Sequence, residues 1–458
     1  MRVNELIKYG IDENFVFLLK KKGIKKLYPH QEEALKKGLM KGKNLIIAVP
    51  TASGKTLIAM FAFFNAFKRK KKIVYLVPLV SLANEKFEEF SEFFPNKKVA
   101  LSIGDYDSDD PFLAFYDIIV CTVEKFDSLM RHKAEWIRDV GLVVVDEIHL
   151  LNDPARGPNL EIVLTKILQS LKTQIIALSA TIKNVEELAE WLNADYVISD
   201  FRPVKLIQGV AFDSRIKLEN GKIIELPEIP IEEGICDFVL KKGKQILFFV
   251  STRKKAESLA KKLSSIAKDF INSKSNLSKI SLQILNSIET PTSQCRLLAD
   301  LIKNGVAFHH SGLLYGQRRI IENNFKNGNL KVLVATTSLA FGVNLPSYCV
   351  VIRNLKRYYP GLGLYYIPVL EYVQMCGRAG RPKYDKEGIA IAIAKDEREA
   401  EEVFDRFVFG ELENLRSKLG SEPILRMHVL GLIASGFCKA RFQLKNFFQN
   451  TFFSYQYG

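Results

Sequence analysis

The chain has 458 residues, of which 47% are hydrophobic and 26% are charged, and its formal net charge is +15. This composition is typical of a folded chain of two to four domains and excludes bulk disorder. The positive charge favours polyanionic partners such as nucleic acid. A lysine-rich surface from a thermophilic proteome would give the same balance, so charge leaves both interpretations open.

The sequence carries no sign of membrane insertion or secretion. No apolar run approaches the ~18 residues that a membrane span requires. The N-terminal stretch has early acidic residues and lacks an apolar block before a small-residue cleavage site, so we expect no signal peptide and no membrane partner. The six cysteines are scattered without a C-x-x-C pair, which predicts buried thiols in a reducing, cytoplasmic location and no zinc or iron–sulfur site.

Short apolar runs rich in β-branched residues alternate with helical patterns along the chain. The predicted strands are Asn44–Val49, Ile73–Pro78, Ile118–Thr122, Leu142–Asp146, Ile175–Ser179, Ile246–Ser251, Val306–His309, Lys331–Ala335, Cys349–Ile352 and Ile389–Ala394. This alternation predicts two successive α/β units with parallel sheets. We expect a linker near Asp200–Asp213, a helical excursion over Lys254–Asn304, and a wholly helical segment from about Glu411.

The stretch Leu45–Ala59, LIIAVPTASGKTLIA, has the strand–loop–helix context of a phosphate-binding loop. The predicted phosphate-binding residues are Pro50, Thr51, Ala52, Ser53, Gly54, Lys55 and Thr56. Backbone N–H groups at the start of a helix suit an anion, and Lys55 would reach the β- and γ-phosphates while Thr56 would hold Mg²⁺. The strict pattern has glycine where Val49 stands, so the match is imperfect.

An acidic pair at the end of a second apolar run supplies the other half of such a site. In LVVVDEIHLL, Asp146 would bind Mg²⁺ through water and Glu147 would polarise the attacking water. Taken alone, the pair would equally suit an acidic helix cap after a buried strand. Its occurrence together with Lys55 and Thr56 favours the catalytic interpretation.

Four motifs in order, VPTASGKT, DEIH, LSATI and QMCGRAGRP, resemble the DExH helicases of the second helicase superfamily, and within them the archaeal Hjm/Hel-type DNA helicases of the Ski-like branch. The resemblance covers essentially the whole chain, and this family tolerates a residue other than glycine at Val49. It implies an α/β fold with two tandem RecA-like P-loop domains at 1–205 and 206–408, each with a parallel sheet. Residues 409–458 would form the first part of a winged-helix domain. The implied cofactors are ATP and Mg²⁺.

The resemblance also implies residues that read adenine and residues that couple hydrolysis to movement. In LYPHQEEAL, Gln31 matches the adenine-reading glutamine of the family. His149 matches the residue that links the acidic pair to the coupling motif, within which Ser179 and Thr181 match the hydroxyl residues.

A third set of matching residues lies in QMCGRAGRP. Gln374, Arg378 and Arg381 match motif VI, and the two arginines match the arginine fingers that reach the γ-phosphate from the second lobe. A guanidinium stays charged and forks toward phosphate oxygens, which suits that role. Without the other motifs, the same residues would be interpreted as a solvated basic turn.

Segments that follow several strands resemble the nucleic-acid motifs of the family. The matching residues are Pro78, Leu79, Thr122, Lys125, Thr252, Arg253, His310, Thr337 and Asn344. Hydroxyls, amide groups and basic side chains at loop starts contact phosphates without reading sequence. A metal pair at His309 and His310 is disfavoured, because neighbours on a strand point to opposite faces.

A hairpin is predicted between motif V, which contains Thr337 and Asn344, and motif VI. In this stretch two tyrosine pairs flank the residues PGLG at 360–363. In the resembling helicases a hairpin at this place splits the duplex. Tyr358, Tyr359 or Tyr365 would then stack on the terminal base pair. The alternative is that these rings pack on the sheet as part of the core.

The resemblance implies an ATP-dependent 3′→5′ DNA helicase that acts on forked or branched DNA in replication restart and repair, as a monomeric motor on single-stranded and forked DNA. Two alternatives stay open: an RNA helicase of the same branch, and a nucleic-acid-binding ATPase subunit that does not unwind. The resembling helicases continue into a helical ratchet domain. Either the sequence is a truncated or natural fragment or a second polypeptide supplies that domain, and the chain alone is expected to hydrolyse ATP but translocate poorly.

Overall fold

The computed structural model describes residues 1–104, 110–271, 274–337, 339, 345–359, 363–382 and 384–458. For Tyr359 it describes the backbone and not the side chain. Contacts divide these residues into two units. The first comprises Met1–Phe201 and Asn414–Gly458, and the second comprises Arg202–Glu413. The predicted nucleic-acid residue Asn344 and the hairpin turn at 360–362 lie outside the described residues.

A parallel sheet forms the centre of the first unit. Its strands are β1 (Leu45–Ala48), β2 (Lys72–Val77), β3 (Val99–Ser102), β4 (Ile118–Thr122), β5 (Val140–Val145), β6 (Gln174–Ser179) and β7 (Asp195–Ile198). They are ordered β3-β4-β2-β5-β6-β1-β7, and all their pairings are parallel. Because side chains alternate along a strand, Ile47 packs into the core on one face and Ile46 into the core on the other. Burial on both faces explains why the five inner strands are largely apolar runs, whereas the edge strands β3 and β7 are only partly buried.

Helices cover both faces of this sheet. The helices of this part of the chain are α1 (Glu13–Lys21), α2 (Pro29–Lys36), α3 (Lys55–Lys68), α4 (Val80–Phe93), α5 (Val123–Arg131), α6 (Gly157–Ser170) and α7 (Val185–Trp191). Short 3₁₀ helices occur at Val3–Tyr9, Leu39–Lys41, Pro111–Phe115, Glu135–Asp139 and Ile148–Asn152.

The second unit repeats this plan around a mixed sheet. Its strands are β8 (Lys205–Phe212), β9 (Arg215–Leu218), β10 (Ile223–Glu225), β11 (Ile246–Val250), β12 (Val306–His309), β13 (Val332–Thr336), β14 (Cys349–Ile352), β15 (Lys356–Tyr359), β16 (Gly363–Tyr366) and β17 (Glu387–Ile393). The main sheet has the order β10-β9-β8-β17-β14-β11-β13-β12, with antiparallel pairing only at β8–β9–β10 among the described residues.

Helices of the second unit surround that sheet. They are α8 (Ile231–Lys241), α9 (Arg253–Ala267), α10 (Lys274–Leu285), α11 (Ser293–Lys303), α12 (Tyr315–Lys326), α13 (Val369–Cys376) and α14 (Glu397–Val403). A 3₁₀ turn spans Lys268–Phe270 and a π-helical turn spans Phe404–Val408. The predicted pair of α/β units and the helical excursion after Lys254 are confirmed.

The predicted linker over Asp200–Asp213 is wrong for most of its length. Lys205–Phe212 form β8, which pairs in parallel with β17 and antiparallel with β9. The loss of helical period in this stretch reflects a strand, because absence of a helical pattern is common to loops and strands. The described boundary between the two units falls at Phe201 and Arg202.

The C-terminal segment packs within the first unit and is helical from Glu422 onward. The prediction of a wholly helical segment from about Glu411 is wrong for its first residues, because 409–421 contain no helix. Its helices are α15 (Glu422–Ala434), α16 (Arg441–Gln449) and α17 (Phe452–Tyr457). The buried Glu161 carboxylate on α6 accepts hydrogen bonds from the Ser417 hydroxyl at 2.6 Å and the Phe453 N–H at 2.7 Å. The interpretation of 409–458 as the start of a winged helix stays a prediction. Among the described residues, no helix combines the length and apolar character needed to cross a membrane.

Candidate active site

The predicted catalytic residues of the first unit meet at the carboxyl edge of its sheet. The phosphate loop follows β1, Asp146 and Glu147 follow β5, and Ser179 ends β6. Carboxyl ends of neighbouring parallel strands lie at one edge, which is where open α/β sheets bind ligands. The strand order places β1, β6 and β5 side by side, so residues distant in sequence become neighbours.

The phosphate loop has a left-handed backbone at two positions. Ala52 has φ of 63° and Gly54 has φ of 81°. Glycine reaches such values without steric cost, whereas alanine adopts them at a cost of about 1 kcal/mol. Val49 does not have a positive φ; its side chain is buried and its N–H donates to the Ser179 carbonyl at 3.3 Å. The missing glycine is therefore no obstacle, because the backbone at Val49 does not need one.

The residues of the predicted adenine motif brace this loop. The Gln31 side chain donates from Nε2 to the Gly54 carbonyl at 3.1 Å and accepts the Tyr28 N–H at 2.9 Å. The His30 Nε2 lies 2.9 Å from the Ser53 carbonyl oxygen, and burial lowers the pKa of His30 despite that hydrogen bond. These contacts place Gln31 against the loop, and its reading of adenine stays a prediction.

The acidic pair is held by a buried phenol and a strained backbone. The Tyr75 hydroxyl donates to Asp146 Oδ2 at 2.7 Å, and the Glu147 N–H donates to Asp146 Oδ1 at 3.0 Å. Burial, followed by the neighbouring charge of Glu147, raises the pKa of Asp146. Glu147 itself has φ of 55°, a left-handed conformation that costs a non-glycine residue about 1 kcal/mol.

Two lysines balance these carboxylates. Lys55 Nζ lies 3.4 Å from Glu147 Oε2, and Lys86 Nζ lies 2.8 Å from both Thr56 Oγ1 and Glu89 Oε2. Burial lowers the pKa of Lys86, but the charges of Glu89 and Asp146 outweigh it, so the pKa is raised overall. The Lys86 ammonium therefore stays charged at neutral pH, where it offsets the acidic pair.

The predicted coupling residues contact each other. The Nδ1 atom of His149 accepts the Ala180 N–H at 3.2 Å and lies 3.4 Å from Ser179 Oγ. It also lies 3.4 Å from Glu147 Oε2, so one imidazole joins the acidic pair to the motif after β6. Burial lowers the pKa of His149 to about 4. Thr181 follows this contact and is partly exposed.

The oxygen and nitrogen donors at this edge fit a Mg²⁺–nucleotide. Thr56 offers a hydroxyl and Asp146 a carboxylate, which are the oxygen ligands that Mg²⁺ prefers. A Cβ atom at Gly54 would lie 2.8 Å from Gln31 Nε2, so the Gln31 side chain would have to leave its position against the loop to admit a larger residue. The N-terminus of α3 begins at Lys55 and presents backbone N–H groups suited to phosphate.

Motif VI lies in the second unit, where Arg381 is held in place. Its guanidinium forms a bidentate contact with Asp385, at 2.7 Å and 3.1 Å, and donates to Gln245 Oε1. Burial alone would raise the pKa of Asp385, but hydrogen bonds from Arg381 and Lys244 lower it overall. Arg381 is therefore part of a cluster of polar side chains within the second unit.

The neighbouring Arg378 is buried in the turn after α13, and Gln374 is buried within that helix. Arg202 donates to the carbonyls of Gly377 and Ala379 at 3.3 Å and 3.2 Å. The first residue of the second unit therefore supports the backbone on both sides of Arg378.

The predicted nucleic-acid residues of the second unit gather at one sheet edge. Thr252 caps α9 by accepting the Lys255 N–H, and Arg253 donates to Ser311 Oγ at 2.9 Å. Buried His310 Nε2 lies 3.2 Å from Glu257 Oε1, and burial lowers its pKa despite that contact.

Thr337 connects this edge to the hairpin. Its hydroxyl accepts from Arg357 Nη2 at 3.3 Å, and the same guanidinium contacts Glu371 on α13. Arg357 lies on β15, so one side chain joins motif V, the hairpin and the helix that leads into motif VI.

The first-unit counterparts are more enclosed. Thr122 caps α5 by accepting the Lys125 N–H, and the Lys125 side chain is 4% exposed with its Nζ 2.9 Å from Asp110 Oδ2. Pro78 and Leu79 lie after β2 and are partly exposed. The geometry offers Pro78 and Leu79 to a ligand more readily than Lys125, and all four contacts stay predictions.

The predicted hairpin is confirmed. β15 and β16 pair antiparallel, with Tyr358 opposite Leu364 and Arg357 opposite Tyr365. The side chains of Tyr358 and Tyr365 are 69% and 55% exposed. Tyr366 differs, because its ring packs against Phe407 with ring centroids 5.6 Å apart. The alternative of core packing therefore holds for Tyr366 and fails for Tyr358 and Tyr365.

Sequence reasoning missed Tyr75 and Lys86. Tyr75 lies in the otherwise apolar β2, where a lone phenol among β-branched residues is a weak signal. Lys86 carries a stronger one, since it occupies the buried stripe of α4 together with Leu82, Phe90 and Phe93. A lysine at an apolar helical position indicates an internal partner for its charge.

We predict that Gly54→Ala weakens nucleotide binding at least tenfold, because the added Cβ atom meets Gln31 Nε2. Gly10→Ala is a matched control: its φ is 82°, close to that of Gly54, but its Cβ would meet nothing within 4 Å. Both substitutions should cost about 1 kcal/mol of stability. Titration with a fluorescent ATP analogue measures the difference, and equal affinities for the two variants would refute the bracing role of Gln31.

We predict that His149 makes the first unit acid-sensitive. Its folded pKa of about 4 lies below the unfolded value of about 6.5, so the unfolded chain binds the proton first. The stability contributed by His149 is complete above pH 6.5 and is lost as pH falls toward 4, by about 2 kcal/mol at pH 5. Thermal unfolding midpoints at pH 7 and pH 5 should therefore differ less in His149→Asn than in the parent chain.

The exposed His132 provides the control for this measurement. His132→Asn should retain the full difference between the two midpoints. An identical pH response of His149→Asn and His132→Asn would show that the buried imidazole does not titrate as described.

Known protein families match both units. The DEAD/DEAH box helicase family matches residues 28–188, and the helicase conserved C-terminal domain family matches residues 270–383. The first range contains the phosphate loop and the acidic pair, and the second ends beside Arg381.

Curated relatives match over nearly the whole chain. An ATP-dependent DNA helicase Hel308 from Pyrococcus horikoshii is 46% identical over 100% of the chain and 62% of the relative. The helicases of the same name from Pyrococcus abyssi and Methanocella arvoryzae are 45% and 44% identical, over 100% and 95% of the chain and 62% and 60% of their own lengths. The chain thus spans about three fifths of these relatives. Both units thus match helicase domain families, and the chain as a whole is similar to the archaeal Hel308-type DNA helicases.

Proposed function

We propose that the chain is the motor part of an ATP-dependent 3′→5′ DNA helicase. The observation that carries this proposal is the cluster of Lys55, Asp146, Glu147 and His149 at one sheet edge, with His149 bonded to the motif after β6. That cluster contains the groups needed for phosphoryl transfer to water. Its His149 contact can transmit a change at these groups to the motif after β6.

Each residue of the first unit has a defined task in this proposal. Lys55 binds the β- and γ-phosphates, and the backbone around Gly54 follows the phosphate chain. Glu147 orients the attacking water and accepts its proton. Thr56 and Asp146 would hold Mg²⁺, which would neutralise phosphate charge.

The left-handed backbone of Glu147 supports its role as the base. A residue kept in a costly conformation by its surroundings is pre-positioned and needs little reorganisation during reaction. In the ligand-free geometry its carboxylate contacts Lys55 at 3.4 Å. Binding of phosphate by Lys55 would release the carboxylate toward water.

Motif VI contributes the arginines. Arg381 is a guanidinium with carboxylate and amide acceptors in its own unit, and phosphate oxygens offer the same forked geometry. We assign the arginine-finger role to Arg378 and Arg381 on this chemistry and on the motif match. Gln374 precedes them on α13 and would orient this turn.

The second unit also carries the proposed strand-separating element. The exposed rings of Tyr358 and Tyr365 on the hairpin suit stacking on bases, which contributes ~1–3 kcal/mol per base. Thr252, Arg253, His310 and Thr337 would contact phosphates at the neighbouring sheet edge. The net charge of +15 favours such a track.

Finer aspects of the function follow the family and are proposals. They are action on forked or branched DNA during replication restart and repair, operation as a monomer, and a cytoplasmic location. Six buried, unbridged cysteines favour a reducing compartment. A second polypeptide that supplies the ratchet domain stays a proposal of the same kind.

ATPase rates with single-stranded DNA, with RNA and without nucleic acid test the proposed function. We expect stimulation by DNA, and a loss of at least 100-fold in Glu147→Gln with nucleotide binding retained. Glu135→Gln, an exposed residue of the same unit, is the control and should keep the full rate. Stimulation by RNA alone would identify an RNA helicase, and stimulation by neither would favour a non-unwinding ATPase subunit.

The hairpin has its own test. The double variant Tyr358→Ser/Tyr365→Ser should weaken binding of a forked DNA at least tenfold in fluorescence anisotropy, because two stacking surfaces are lost. Tyr315→Ser is the matched control, since this tyrosine of the second unit is 44% exposed and lies on α12. Equal affinity of both proteins for the fork would rule out stacking by the hairpin rings.

A further inference from the structure

An ammonium group lies where the proposed function places Mg²⁺. Lys86 Nζ donates to Thr56 Oγ1 at 2.8 Å, and Thr56 is the hydroxyl expected to hold the cation. The Lys86 side chain is only 8% exposed, although it originates from α4 and not from the phosphate loop. A lysine with a purely structural role could satisfy its charge with Glu89 on its own helix and would not need the loop.

The charge of Lys86 also acts on the acidic pair. Lys86 donates to the Thr56 hydroxyl at 2.8 Å, and Tyr75 donates to Asp146 Oδ2 at 2.7 Å. The Lys86 ammonium and the Asp146 carboxylate attract each other electrostatically. The positive charge of Lys86 thus acts on both residues expected to hold Mg²⁺.

We propose that Lys86 is the resident counter-ion of the Mg²⁺ site, and that it sets the Mg²⁺ concentration required for nucleotide binding. This inference rests on the proposed function. Lys86 donates a hydrogen bond to the Thr56 hydroxyl, and its charge balances Asp146. With Mg²⁺ bound at Thr56, the two cations would repel each other at one oxygen, so Lys86 must leave it.

Glu89 is the partner that receives the displaced ammonium. Its carboxylate already lies 2.8 Å from Lys86 Nζ, and its side chain is 30% exposed, so the pair can persist near solvent. Lys86 therefore alternates between two states, one shared between Thr56 and Glu89 and one held by Glu89 alone. Substitutions at Lys86 and Glu89 should shift this balance in opposite directions.

The test measures the free Mg²⁺ concentration at which a fluorescent ATP analogue, mant-ATP, is half bound. Lys86→Met keeps the length of the side chain and removes the competing charge, so the half-saturating concentration should fall about tenfold. Lys86→Arg keeps the charge and should stay near the parent value. Glu89→Gln removes the receiving carboxylate, so more Mg²⁺ should be required.

Lys22→Met controls for loss of a lysine paired with a glutamate of α4. Lys22 Nζ lies 2.6 Å from Glu92 Oε1 and does not contact Thr56, so this variant should match the parent. A structural role for the Lys86–Glu89 pair would make Lys86→Met and Glu89→Gln change binding in the same direction. That result, or an unchanged Mg²⁺ requirement in Lys86→Met, would overturn the proposal.

Two further outcomes are decisive. Circular dichroism monitors folding, and if Lys86→Met does not fold, the partly exposed Glu89→Gln variant decides alone: a higher Mg²⁺ requirement supports the proposal and an unchanged one overturns it. If the parent chain fails to bind mant-ATP at any Mg²⁺ concentration, the proposed function is wrong and the role of Lys86 is overturned with it. Normal nucleotide binding with an unaltered Mg²⁺ response would refute the role of Lys86 alone.

Discussion

Charge balance at the carboxyl edge of the first sheet constrains much of this protein. Asp146 and Glu147 are adjacent carboxylates at the end of a buried strand, where unpaired charges would be costly. Lys55 contacts Glu147 directly, and the charge of Lys86 acts electrostatically on Asp146. Because the parallel strands end at one edge, the helices that follow β1 and β2 deliver both lysines to this place. The fold thus brings two lysines and two carboxylates of opposite charge together at this edge.

Backbone strain also occurs at the same edge. Ala52 and Glu147 adopt left-handed conformations, each costing about 1 kcal/mol, and Gly54 adopts one without that cost. Contacts from α2 to the carbonyls of Ser53 and Gly54 keep the loop in place. A loop and a base held in advance of binding need less reorganisation during reaction. The strain therefore lowers the reorganisation that the reaction requires at this site.

Sequence patterns predicted the continuous apolar strands of both sheets well, and Ile118–Thr122, Val306–His309 and Cys349–Ile352 match residue for residue. They did not predict β8, whose pattern is not helical but also not uniformly apolar. Motif spacing identified the acidic pair and the phosphate loop. Lys86 escaped because its partners come from a different strand end, and only three-dimensional packing shows which polar group a buried lysine meets.

The position of the C-terminal segment has a consequence for synthesis. Glu161 is buried and obtains its hydrogen bonds from Ser417 and Phe453, which are separated from it by 256 and 292 residues. In a nascent chain this carboxylate therefore lacks both partners while the entire second unit emerges from the ribosome. Closing so long a loop is slow compared with folding of local structure. The second unit is thus expected to fold before the first unit is complete, although most of the first unit is translated earlier.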